Sequence, residues 1–73
     1  MTRLPVVSGA EAVRRFERAA WTVARQKGSH VMMTHPGTIA TLSIPQHREL
    51  DRGLLRALLR AAGISVEEFN ALG

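Results

Sequence analysis

The sequence predicts an α+β fold in the order α-β-β-β-α, with a short extra C-terminal helix and a three-stranded antiparallel sheet. Three observations carry this. Ser8 with Glu11, and Ser65 with Glu68, are capping-box spacings that each open a run of helical period. Between the helices, stretches of strand-forming residues are punctuated by Gly28 and by His35-Pro36-Gly37. A leucine stripe then runs from Leu54 to Leu59 and meets Gly63.

The elements follow in order. After Ser8, the residues Ala12, Val13, Phe16, Ala19 and Ala20 recur at helical spacing, with Glu11, Arg14, Arg15 and Arg18 opposite. Glu11 stands four residues before Arg15, a stabilising arrangement. Trp21 to Gln26 reads as the first strand and Val31 to Thr34 as the second. Thr38 to Ile44 alternates apolar and polar residues as a half-buried third strand should, and Pro45 ends it. Leu54, Leu55, Leu58, Leu59 and Ala62 mark the second helix. Val66, Phe69 and Leu72 share one side of the last. With no repeat, linker or low-complexity tract, residues 1–73 are expected to form one domain.

Composition narrows the function. A chain of 73 residues buries only about 60% of its unfolded surface and leaves little room for a deep cleft. Chemistry is therefore expected on an open surface, which suits a polymeric substrate. The net charge is +4, and nine of the ten cations are arginine, the fork-shaped donor that matches phosphate. Such a balance fits nucleic acid, an acidic protein or an anionic membrane. Without cysteine, the fold has no disulfide and no thiolate metal site. Met1 to Val7 holds no run resembling a signal peptide, and a cytoplasmic location is the expectation.

Lys27-Gly28-Ser29-His30 is the stretch best placed for chemistry. It sets a histidine just past a glycine turn, at the rim of the predicted sheet. Imidazoles exchange protons near neutrality, so His30 can act as general acid or base in phosphodiester cleavage by an adjacent 2′-hydroxyl. Arg25, Lys27 and the backbone N–H groups near Gly28 can offset charge on the phosphorus centre. The plainer reading is a surface imidazole that caps a turn. His35, before Pro36, reads as an exposed turn residue. His47 reads either as a second proton carrier or as a structural hydrogen-bonding group of its loop, the latter favoured.

No metal or other cofactor is expected. The three histidines fall on separate elements without a His-x-x-x-His pair, and Glu49 and Asp51 precede a helix, where carboxylates serve as caps. Arg52, Arg56 and Arg60 form a stripe along the second helix. A solvated face explains it; phosphate contacts by Arg52 and Arg56 are the functional alternative. Arg14, Arg15 and Arg18 admit the same two readings. Phe16, Trp21 and Phe69 fall at core positions rather than as base-stacking platforms. Met32 and Met33, being adjacent, face opposite sides of a strand.

Three segments in order, Arg25 to His30, Ile44-Pro45-Gln46-His47 and Leu58 to Ser65, resemble the HicA family of toxins from HicA–HicB toxin–antitoxin systems. The similarity runs from about Val7 to Phe69. It implies a fold like the double-stranded RNA-binding domain and an mRNA interferase activity that blocks translation. His30 aligns with the family's catalytic histidine, and Gly28 and Ser29 with the turn that presents it. The implied partners are messenger RNA and a HicB-type antitoxin that covers the active surface. The chain departs from the family pattern at Gly53-Leu54-Leu55, where Gly-Thr-Leu is usual, and at Ala20-Trp21, where Gly-Phe is usual. The alternative function is a noncatalytic RNA-binding module of the double-stranded RNA-binding type. Against it, Glu49-Leu50-Asp51-Arg52-Gly53 stands where such modules carry a lysine cluster. A third reading is an interaction domain for an acidic protein.

Overall fold

A computed structural model describes residues 2–73; Met1, where the leader reading begins, lies outside the described residues. The chain folds as α1 (Gly9–Arg18), β1 (Thr22–Lys27), β2 (His30–Thr34), β3 (Leu42–Pro45), α2 (Arg52–Ala62) and α3 (Val66–Ala71). The strands form an open antiparallel sheet in the order β1-β2-β3. Among the described residues, no helix is long and apolar enough to cross a membrane.

The sheet has one covered side and one open side, and strand alternation decides which residues occupy each. Val31 and Met33 of β2, with Leu42 and Ile44 of β3, enter the core beside Phe16, Leu55, Leu58, Leu59 and Phe69 of the helices. Val31 pairs with Ile44 and Met33 with Leu42, so the register keeps these side chains together. His30, Met32 and Thr34 consequently take the open side. Met32 is half-buried there while Met33 is wholly buried.

Each helix begins on the predicted side-chain cap. The Ser8 hydroxyl accepts the Glu11 N–H at 3.0 Å, and Asp51 accepts the Leu54 N–H at 3.1 Å. Ser65 and Glu68 close the full reciprocal box. The first box stays half-formed because the Glu11 carboxylate turns to Arg14 and Arg15 instead, at 2.6 and 2.9 Å. These contacts hold the Glu11 carboxyl below its usual range, chiefly through Arg15 and then Arg14. Hydrogen bonds from the Ser65 backbone and hydroxyl do the same for Glu68. A carboxyl depressed on folding contributes stability above its unfolded value, and the contribution fades as pH falls through the folded one. The urea midpoint should therefore hold above a pH of about 4.5 and decline as pH falls below it, and Glu68→Gln should flatten that decline.

The end of α1 differs from the sequence reading, whereas α2 ends at Gly63 as that reading expects. Ala19 and Ala20 read as helical, yet α1 stops at Arg18 and Ala20 adopts a left-handed conformation with φ 72°. The Ala20 N–H donates to the Glu17 carbonyl at 3.1 Å, and the Trp21 N–H to the Phe16 carbonyl at 3.0 Å. This is a Schellman motif. It turns the chain so that Trp21 enters the core and β1 begins at Thr22. The same two bonds end α2, from Gly63 to Arg60 and from Ile64 to Leu59, with Gly63 at φ 70°. Glycine bears this conformation freely, whereas a Cβ costs about 1–2 kcal/mol. Ala20→Gly should accordingly raise the melting temperature by roughly 4–8 °C, and Gly63→Ala should lower it by a similar amount.

The third strand is shorter than the alternation of 38–44 predicts. Thr38 to Thr41 stay outside the ladder. The Thr38 N–H turns back to the His35 carbonyl, and its hydroxyl accepts the Ala40 N–H at 3.1 Å. Local side-chain bonding of this kind competes with strand pairing. At the other end β3 extends through Pro45, opposite His30. Proline is tolerated there because β3 is an edge strand.

Candidate active site

Lys27 pairs directly with His30, leaving Gly28 and Ser29 as the two-residue turn between β1 and β2. Gly28 has φ 60° while Ser29 keeps a negative φ, the sign pattern of a type II′ turn, whose first central position favours glycine. A Cβ at Gly28 would meet nothing within 4 Å, so the backbone angle alone sets the preference. The Gln26 amide donates to the Gly28 carbonyl at 3.2 Å and braces the turn.

The register places Lys27 beside His30 and Arg25 beside Met32, all on the open side. His30 and the whole of β1 are exposed. The register shift between Val23 and Arg25 leaves Ala24 as a bulge, which restores this alternation at the cationic end of β1. No Asp or Glu occurs between Arg18 and Arg48, so the sheet carries no carboxylate. Among the described residues the ion pairs belong to Glu11 with Arg14 and Arg15, leaving Arg25 and Lys27 available to an outside anion.

The rim bearing His30 is tied to the rest of the fold by backbone bonds. The Gln46 N–H donates to the Ser29 carbonyl at 2.7 Å, and the Gly9 N–H to the His47 carbonyl at 2.9 Å. The Leu50 N–H donates to the Val7 carbonyl, also at 2.9 Å. The hairpin turn, the start of α1 and the loop leading to α2 thus meet at one end of the molecule. Gly9 makes this possible: a Cβ there would stand 2.1 Å from the Pro45 carbonyl oxygen. Sequence reasoning passed over Gly9, because no local pattern marks a contact made 36 positions away.

The other candidate residues divide. Arg52 opens α2 directly after the loop tied to the hairpin turn and is exposed; Arg56 and Arg60 are also exposed and follow about one and two turns further along the helix. Arg15 and Arg18 serve the fold instead. Arg15 lies 5.0 Å from the Phe69 ring centroid and donates to the Phe69 carbonyl, while Arg18 donates to the Leu72 carbonyl. His35 departs from the exposed position expected of it. Its ring is half-buried, 5.2 Å from that of Trp21, and Nδ1 contacts the Pro36 carbonyl. Among the described residues, no three His, Asp or Glu side chains gather where a metal ion could be held.

The HicA toxin of bacterial toxin–antitoxin systems is the family whose sequence pattern matches, over residues 9–64. The chain belongs to the HicA toxin family. The matched span runs from the first residue of α1 past the end of α2, and it includes the hairpin turn, His30 and the loop through His47. Membership gives the protein the toxin role of a toxin–antitoxin system and implies a cognate antitoxin as its partner. The α-β-β-β-α order and open sheet agree with the fold that the resemblance implied. α3 lies beyond the matched HicA segment. No curated protein matches the sequence.

Proposed function

We propose that this HicA toxin is an endoribonuclease that cleaves messenger RNA and so blocks translation. His30 is the proton-transfer group, and Lys27 and Arg25 hold the phosphate. The observation that supports it is the open-side arrangement of an exposed imidazole beside two cations on a strand pair free of carboxylates. A polyanion can lie across such a surface without a pocket, and the imidazole can reach its 2′-hydroxyl or its leaving oxygen. Proton transfer by side chains needs no metal, and the sheet supplies none of the carboxylates that hold Mg²⁺. Arg52 extends the phosphate-binding surface at the start of α2. A HicB-type antitoxin neutralises the toxin by covering this open side.

Induction in a bacterial host without the antitoxin tests the reading. The parent chain should arrest growth and deplete messenger RNA, and His30→Ala should do neither. Arrest by both versions alike would remove His30 from the chemistry.

A further inference from the structure

Cleavage by a 2′-hydroxyl moves two protons. One leaves the attacking oxygen, and another must reach the 5′-oxygen as the P–O5′ bond breaks. One imidazole serves one of these at a time. Several features of the fold bear on the other.

His47 lies two residues beyond Pro45, and Pro45 stands opposite His30 in the ladder. The Gln46 N–H to Ser29 carbonyl bond continues that pairing one step past the strand. If strand spacing is carried two residues past Pro45, the two histidine Cα atoms fall on the order of 8 Å apart, a separation two imidazoles can span from opposite sides of one phosphodiester. The His47 backbone is fixed by the Gly9 N–H, on a contact that only a glycine allows. Its side chain is exposed, and no hydrogen bond to its ring is found among the described residues. The structural role favoured from sequence, hydrogen bonding within the loop, is therefore filled by the carbonyl and not by the ring. His35, the remaining histidine, is occupied by Trp21 and Pro36.

We propose that His47 is the second catalytic residue, the general acid that protonates the leaving 5′-oxygen. This inference rests on the ribonuclease reading. His30 takes the proton of the 2′-hydroxyl as O2′ bonds to phosphorus. The P–O5′ bond breaks, and the 5′-oxygen takes its proton from the His47 imidazolium. The products are a 2′,3′-cyclic phosphate and a 5′-hydroxyl, and solvent exchange restores both imidazoles.

A leaving group that needs no acid isolates the role. The substrate is an RNA oligonucleotide carrying a site that the parent toxin cuts, made once with the ordinary linkage and once with sulfur replacing the bridging 5′-oxygen. A thiolate departs unprotonated far more readily than an alkoxide. His47→Asn should cut the ordinary RNA about 10²–10⁴-fold more slowly than the parent and the sulfur-linked RNA at close to the parent rate. His30→Asn should be slow on both. Ordinary RNA cut by His47→Asn at the parent rate overturns the proposal, as does equal slowing on both substrates. Rescue of His30→Asn by sulfur would move the acid to His30 and overturn it too. A parent toxin that cuts neither substrate removes the ribonuclease reading and this inference with it. Unchanged circular dichroism and RNA affinity for both variants keep a folding defect from imitating the result.

Discussion

Phe69→Ala should cost about 3–5 kcal/mol of folding stability and lower the melting temperature by roughly 12–40 °C. Phe69 is wholly buried on a helix of six residues, Val66–Ala71, too short to stand alone. One side of its ring meets Phe16, also wholly buried, at 5.4 Å between centroids, and the Arg15 guanidinium carbon lies 5.0 Å from the ring centroid. Truncation leaves a cavity between α1 and α3 and strips Arg15 of the ring it covers. Proteins of this length are stable by only about 4–11 kcal/mol, so the loss is a large fraction of the whole. Thermal unfolding followed by circular dichroism checks it, with Phe69→Leu as the control that keeps most of the volume. A fall of less than about 5 °C, equivalent to roughly 1 kcal/mol, would show that α3 is an appendage and not part of the core.

That α3 belongs to the core was half legible. The Ser65–Glu68 spacing and the Val66, Phe69 and Leu72 side gave its start and its apolar side. The arginines that clamp it were not legible, because Arg15 and Arg18 have the same local pattern whether they face solvent or a neighbouring helix 54 positions on. The helix caps were readable since they are made within three residues. The end of α1 was not, because alanine is the strongest helix former and gives no sign of a left-handed conformation. The third strand was over-read for a related reason. Alternation in 38–44 is compatible with a strand, but the ladder needs a partner, and β2 ends at Thr34, already paired on its other side with Thr22 of β1.

At the site, short-range chemistry was again what the sequence carried. Gly28 before a histidine is a turn signal, and the turn places Lys27 and Arg25 on the side of His30 by the two-residue period of a strand. The Ala24 bulge that accompanies this alternation leaves no mark in the composition. Arg52 and Arg56 looked equivalent on a four-residue spacing. The structure separates them, because the loop before Arg52 is stapled to the hairpin turn while Arg56 is carried a helical turn away. Gly9 is the residue on which that staple depends, and its signal is a tertiary contact.

His30→Ala should lower the rate of RNA cleavage by about 10²–10⁴-fold while leaving folding and RNA affinity nearly unchanged. The side chain is exposed and no protein hydrogen bond to its ring is found among the described residues; surface changes of this kind stay within about 0.5 kcal/mol. Affinity should persist because Arg25, Lys27 and Arg52 remain to meet phosphates. Lys27→Ala supplies the complementary result: weaker binding, with the logarithmic salt slope reduced by about 0.7, the share of one phosphate contact on a single strand. Cleavage of labelled RNA by purified protein, with binding measured over a salt series, separates the two effects. If His30→Ala instead binds RNA much less tightly and cuts whatever it binds at the parent rate, the imidazole is a docking contact, and the proton must come and go through another group on the same rim.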